Sequence, residues 1–441
     1  MASKTIRVGK GKYVGNTNVV LQKAVDDLAR RGGGTVELPA GTFRLHDSLH
    51  LRSGVRVRGQ GAATVLKKVP CVSSPISDYL GYGHFEVTVE KPRLFRPGMG
   101  VTVRDDARGG FDMTVATVVA RRGNRVIIDK MMNYDYHPDK RGRLVSVFPL
   151  VAAEYAQDVA VSDLTLDGND DPEVMGGCRG AGVFLLQTHT ATVERLEIKD
   201  YNGDGVSFQQ CTDIVVRDCH IHDLTENGLH PGSGSVRYLL VRNDVHDCSG
   251  MGIFYCLRTT HSLCAQNRLV ANKRAGISIG ERDTDHIVRE NEIRAHAWEG
   301  IVFRAVHAHG GDRVVVQDNL LDGNCRERGE GEVVVASRIE KVELCGNRFA
   351  NVRRTAVFVE KGARDICLVD NRVDGRDLSR SDVRDKSRAV VFGKPKRPLR
   401  VGPAAATADS TLHLAAGLVK APADAELRTA ARAKHSCSKG R

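Results

Sequence analysis

The residues with the most chemical potential in this sequence lie between positions 201 and 307. His230 sits in the run GLHPGSGS among small neighbours, and imidazole is the side chain whose protonation changes near neutrality. A histidine base that takes a proton from a carbon beside a carboxylate needs a cation on that carboxylate, and Arg258 or Arg304 can supply it. Tyr201 is the candidate that returns a proton to a departing oxygen. Asp204 and Glu226 offer a second chemistry: a carboxylate pair about 5 Å apart is the arrangement of retaining glycoside hydrolysis. Both read equally as ordinary turn acids, Glu226 the more so. Arg304, Glu281, Arg282, His307 and Gln209 are the candidate substrate-binding residues. Asp283 and Asp285, in ERDTD, are candidate calcium ligands, with a solvated loop as the commoner origin of such a cluster. The histidines at 220, 222, 246 and 296 recur near turns without ligand spacing and are read as structural.

What must position these residues is a repeat. Segments opening at Gly182, Gly205, Gly228, Gly252, Gly276 and Gly300 follow one another at intervals of 23, 23, 24, 24 and 24 residues. Each holds one β-rich run after the glycine (GVSF, GIFY, GISI, GIVF) and a second about ten residues on (DIVVRD, YLLVRN, HIVREN), by the alternation expected of strands. No repeat holds a helix-length amphipathic run, so helical and leucine-rich solenoids are disfavoured. The expected fold is all-β: a right-handed parallel β-helix whose coils stack on their neighbours.

Side chains alternate across a strand. The apolar pairs Val206/Phe208, Ile253/Tyr255, Ile277/Ile279 and Ile301/Phe303 should face the core. Asp204, Glu226, His230, Arg258, Glu281, Arg282, Asp283, Arg304 and His307 should then form a charged stripe outside. Coils stack about 4.8 Å apart, which puts Asp204 and Glu281 roughly 14 Å apart and excludes them as a working pair. Asparagines at 243, 267, 291, 319, 347 and 371 recur after the second run; their amides can bond along a column, a structural role.

Four regions follow: an N-terminal cap and first coils (1–84), a β-rich insertion (85–148), the β-helix core (149–392) and a Pro/Ala/Lys-rich tail (393–441). Residues 17–30 have helical spacing, with Val20, Leu21, Ala24, Val25 and Leu28 on one face, suited to plugging an open solenoid end. Ten Lys/Arg against three Asp/Glu in 394–441 supply seven of the eleven net positive charges. The body is therefore close to neutral, without aromatics interleaved among its basic residues, and nucleic-acid binding is disfavoured. No stretch reaches the roughly 18 apolar residues of a membrane span. The eleven cysteines have no C-x-x-C pair and read as reduced, several within strands. The start, MASKTIRVGKGKYVG, lacks the apolar run of a secretory signal. The expected location is cytoplasmic if the sequence is complete and secreted otherwise.

GGGTVELPAGTFRL, SGVRVRGQGAATVLKK and DLTLDGN resemble the N-terminal region of the pectate-lyase-like superfamily, and residues 17–390 are compatible with it. The resemblance implies a right-handed parallel β-helix acting on polysaccharides as lyase, hydrolase or epimerase. Residues 226–258 are similar to the catalytic module of mannuronan C5-epimerases, but that family's Asp-Pro-His-Glu motif falls on His230-Pro231-Gly232-Ser233. The acidic and histidine positions are unmatched. The expectation is therefore a carbohydrate-active protein that cleaves a glycosidic bond on the 204–307 face, needing no cofactor unless calcium binds at 283–285. Its alternatives are a non-catalytic glycan-binding or adhesion β-helix, which would bind without turnover, and a sugar epimerase. The partner is a polysaccharide or oligosaccharide, with homo-oligomers left open.

Overall fold

The computed structural model describes residues 4–79, 81–107, 109–173, 175–305, 310–393 and 397–403. Nearly all regular structure is β, and the chain is a right-handed parallel β-helix. It divides into two compact units. The first holds the described residues up to Leu186 with Arg195–Ser207 and Leu224–Glu226; the second holds Gln187–Glu194, Phe208–Asp223 and the described residues from Asn227 onward.

In the second unit each coil carries three short strands rather than the two runs legible in the sequence. Thr212–Arg217, Val236–Val241, Thr260–Ala265 and His286–Arg289 pair in parallel, one coil on the next. His220–His222, Asp244–His246, Arg268–Val270 and Glu292–Arg294 form a second ladder. Leu229–Gly232, Ile253–Phe254, Ile277–Ile279, Ile301–Phe303 and Val333–Val335 form a third. The strands of the second ladder are three residues long in this stretch, too short to show alternation against their flanks. Ile253, Ile277, Ile301 and Val333 stack in register and are closed to solvent.

Two polar columns fasten the turns. Asn243, Asn267, Asn291, Asn319, Asn347 and Asn371 each accept, through Oδ1, from the backbone N–H of the coil before. Each also donates Nδ2 to a main-chain carbonyl of that earlier coil, as Asn291 does to Cys264 O at 3.0 Å. The asparagines do not take the left-handed backbone that a tight turn demands. That falls to the residue before: Arg242, Gln266, Glu290, Asp318, Gly346 and Asp370. A second column runs from Asn272 through His296 and Asn324 to Glu332, so His296 is a rung of the fold. The described cysteines are all free thiols, with Cys211, Cys219, Cys264 and Cys345 buried and Cys256 and Cys367 half-buried. Leu399 and Val401, from the segment read as a Pro/Ala/Lys-rich tail, pack on Val215, Leu239, Leu263 and Ile287. Residues 394–396 and 404–441 of the tail lie outside the described residues.

In the first unit, the strands Thr5–Arg7, Gly34–Glu37, Val55–Arg58 and Gln157–Asp167 stack in parallel. The helix Asn18–Ala29 buries Val20, Leu21, Ala24, Val25 and Leu28 and lies on the strands of these first coils. A six-stranded antiparallel sheet interrupts them, starting at Ser73–Pro75, earlier than the break in rhythm at 85, and running to Arg143–Val145. It has its own core around Val87, Phe95, Val101, Val126 and Tyr136.

Candidate functional site

Alternation places the third-ladder residues as the repeat demands. Val206, Phe208, Ile253, Tyr255, Ile277, Ile279, Ile301 and Phe303 all face the core and are closed to solvent. The outward face between them is not an open charged stripe. Ser278 pairs in register with Phe254 on one side and Val302 on the other. Phe254 is half-buried, and His230, one coil earlier, is only 3% exposed.

His230 presents its ring edge-on to Phe254, with centroids 5.1 Å apart and planes at 72°. Arg304 folds back over the same ring, its guanidinium carbon 4.5 Å from the centroid, a cation–π geometry. It is pinned there by Nη1 donating to Ser278 Oγ at 2.6 Å and Nη2 donating to Tyr255 O at 2.8 Å. Burial lowers the guanidinium pKa, and Asp283, 3.9 Å away, opposes that shift. A quarter of the Arg304 side chain still reaches solvent. Gln209 is buried, its carboxamide oxygen 2.6 Å from where a β-carbon on Gly232 would stand. The GSGS run thus lets the neighbouring coil's glutamine approach its backbone.

Several predicted residues do not join this face. Tyr201 is 1% exposed and donates its hydroxyl to Phe148 O at 3.0 Å. Burial, reinforced by the nearby Asp204 charge, pushes its phenol well above the usual range. It is a core residue of the first unit, closed off from a leaving group. Asp204 opens the strand Asp204–Gln209 but is 1% exposed, so it forms no open carboxylate pair with the half-buried Glu226. The backbone N–H of Glu226 donates to Gly203 O at 3.2 Å.

Arg258 and Arg282 take left-handed φ of 57° and 58° in the turns that leave the third ladder. Both are exposed at its rim, and Arg282 pairs with its own neighbour Glu281 at 2.8 Å. His307 lies outside the described residues.

Asp283 and Asp285, the calcium candidates, are each engaged in hydrogen bonds. Asp283 is fully buried and accepts from Thr259 N–H, Thr259 Oγ1 and Gly280 N–H, each at 2.9 Å. Burial raises its pKa to about 6. Asp285 is held by Arg313 through two bonds of 2.8 and 2.6 Å. The two carboxylates are held by different partners. Phe254, Ser278 and Gly280 complete the face and were missed by sequence reasoning. None carries a charge, and the signal that would have found them is their shared register with His230 and Arg304. His220, His222 and His246, read as structural, come together on the outer side of the second ladder.

A family model described as right handed beta helix region matches residues 152–269. Mannuronan C5-epimerase AlgE1 of Azotobacter vinelandii is 24% identical over 318 residues, which cover 67% of this chain and 18% of that protein. Among solved structures, the A-module of mannuronan C-5 epimerase AlgE4 from the same organism superposes with a TM-score of 0.55 at 16% identity, covering 87% of this chain and 98% of the module. PfbA, a surface adhesin of Streptococcus pneumoniae, superposes with a TM-score of 0.50 at 10% identity, covering 88% and 93%. An epimerase module and an adhesin share with this chain one architecture, and by that architecture the protein is a right-handed parallel β-helix protein.

Proposed function

We propose that this protein acts on an acidic polysaccharide along the outward face of the third ladder, with His230 as base and Arg304 as the cation for a uronate carboxylate. The observation that carries the reading is that one ring, Phe254, is flanked by both groups, His230 on its edge and Arg304 over its face. An apolar ring beside a fixed cation suits a sugar that carries a carboxylate. The proton at the carbon α to the carboxylate passes to His230, and the electron pair left behind spreads onto the carboxylate beside Arg304. From that state the glycosidic bond at the adjacent carbon breaks, its oxygen leaving with the proton held by His230 or one from water to give an unsaturated uronate, or water delivers a proton to the opposite face and inverts the centre. Hydrolysis by Asp204 and Glu226 is the weaker chemistry because Asp204 is shut away. The likeness to mannuronan C5-epimerases supports a carbohydrate as the substrate.

The test is to incubate the protein with a panel of uronate polysaccharides, following unsaturated-uronate absorbance and sugar inversion by NMR. One of the two signals is expected, and it should vanish in His230→Gln while Arg304→Ala weakens binding. A second reading, binding without turnover, is favoured by the near-complete closure of His230. Binding with neither signal on any substrate decides for it and ends the catalytic assignment.

A further inference from the structure

We propose a metal site, independent of that face, made by His220, Asp244 and His246 on the outer side of the second ladder, for a divalent transition metal of the zinc class. The strands His220–His222 and Asp244–His246 pair in strict register, His220 beside Asp244 and His222 beside His246. Ile221 and Val245, between them, are closed in the core. Alternation therefore turns all four flanking side chains outward onto one patch spanning two coils. His220 is exposed, and Asp244 and His246 are half-buried, so an ion can reach them.

Nε2 of His220 and Nε2 of His246 face each other at 2.8 Å. A carboxylate oxygen of Asp244 completes a set of three ligand atoms lying within 4.8 Å of one another. Zinc holds imidazole nitrogens at about 2.0–2.1 Å in tetrahedral geometry, so the two nitrogens need to open only to about 3.4 Å. Two imidazoles and one carboxylate, with a fourth position left to water, is a donor set that zinc accepts.

The surrounding contacts prepare the ligands. His246 Nδ1 is 2.7 Å from Asp247 Oδ2. With the proton on Nδ1, that carboxylate fixes the tautomer whose Nε2 lone pair points at His220, as carboxylates do behind metal-bound histidines. Without metal, His220 Nε2 then carries the proton between the rings. Arg268 occupies only one oxygen of Asp244, at 2.8 Å, and leaves the other. His222 stacks parallel to His246, with planes 4° apart and centroids at 5.1 Å, and buttresses the ring.

The experiment is calorimetric titration of the untagged full chain with zinc chloride, with cobalt(II) absorption as an independent report of ligand geometry. One equivalent of zinc should bind, at least tenfold more weakly in His220→Ala or His246→Ala. Asp247→Asn, which changes the positioning carboxylate and no ligand, should weaken binding about tenfold. All three substitutions lie outside the apolar core, and circular dichroism checks that each variant is folded. Zinc binding that is absent in the wild type, or retained in the His220→Ala/His246→Ala double variant, overturns the site.

Discussion

Arg304 lies flat against Gly280 of the coil before it, where any β-carbon would overlap the guanidinium. Gly280 is therefore the floor on which the cation rests. Gly280→Ala should drive Arg304 off Ser278 and Tyr255 and lower stability by about 1 kcal/mol, the net worth of the hydrogen bonds given up when the end of a flexible side chain moves away. Urea denaturation measures that loss. The loss of polysaccharide binding should match that of Arg304→Ala, although residue 280 carries no charge.

The column from Asn272 to Glu332 makes two opposite pH predictions. His296 is buried and accepts the Asn272 N–H on Nδ1 at 3.1 Å, and burial depresses its pKa to about 4. The unfolded chain binds this proton near 6.5 and the folded chain only near 4. Its contribution to stability is therefore full above 6.5 and is lost as pH falls through that window. His296→Asn keeps a rung of the column's usual type and should flatten the acid side of a melting-temperature profile.

Glu332, at the far end, accepts from Asn324 N–H at 3.1 Å and Nδ2 at 2.6 Å, and burial raises its pKa to about 7. Here the folded chain keeps a proton that the unfolded chain releases near 4.5. Stability from this group falls as pH rises from 4.5 to about 7. Glu332→Gln should remove that slope from the same profile.

Asn291 accepts from both Asn267 N–H and Asn267 Nδ2 at 2.9 Å and donates to Cys264 O and Asn319 Oδ1. Asn291→Ala leaves several buried groups without partners and should cost roughly 2–4 kcal/mol, read from the denaturation midpoint. An exposed asparagine such as Asn351 should cost far less.

In the first unit the Lys68 ammonium is fully buried on Asp171, which also accepts the Cys71 N–H at 3.0 Å. Lys68→Met should cost roughly 3–5 kcal/mol because it strands a buried carboxylate. Adding Asp171→Asn should restore more than half of that loss in the same denaturation assay, since the neutral carboxamide removes the stranded charge and still accepts the Cys71 N–H.

The fold was legible because a glycine every 23–24 residues and an asparagine in step with it leave few alternatives. The inward pairs Ile253/Tyr255 and Ile277/Ile279 followed from alternation alone. The site was less legible for a physical reason: repeat position says which way a Cβ points, not where a long side chain goes. Arg304 runs back across two coils to Tyr255 and Cys256, and Tyr201 turns inward to Phe148. Asp283 looks like a ligand by composition, yet it holds main-chain N–H groups. The second-ladder histidines were passed over because each was weighed singly. Their register, 24 residues apart for His222 and His246, is what brings them together.

The asparagine column has one more consequence. Neighbouring rungs are separated by 24 residues for Asn243–Asn267 and Asn267–Asn291, but by 28 for Asn291–Asn319 and Asn319–Asn347, with the same bonds throughout. Four additional residues per coil are absorbed without a change of pitch. The column acts as a ratchet that resets the thread after each loop, so the outline of a coil can be redrawn while the coil above it still lands on its own tooth.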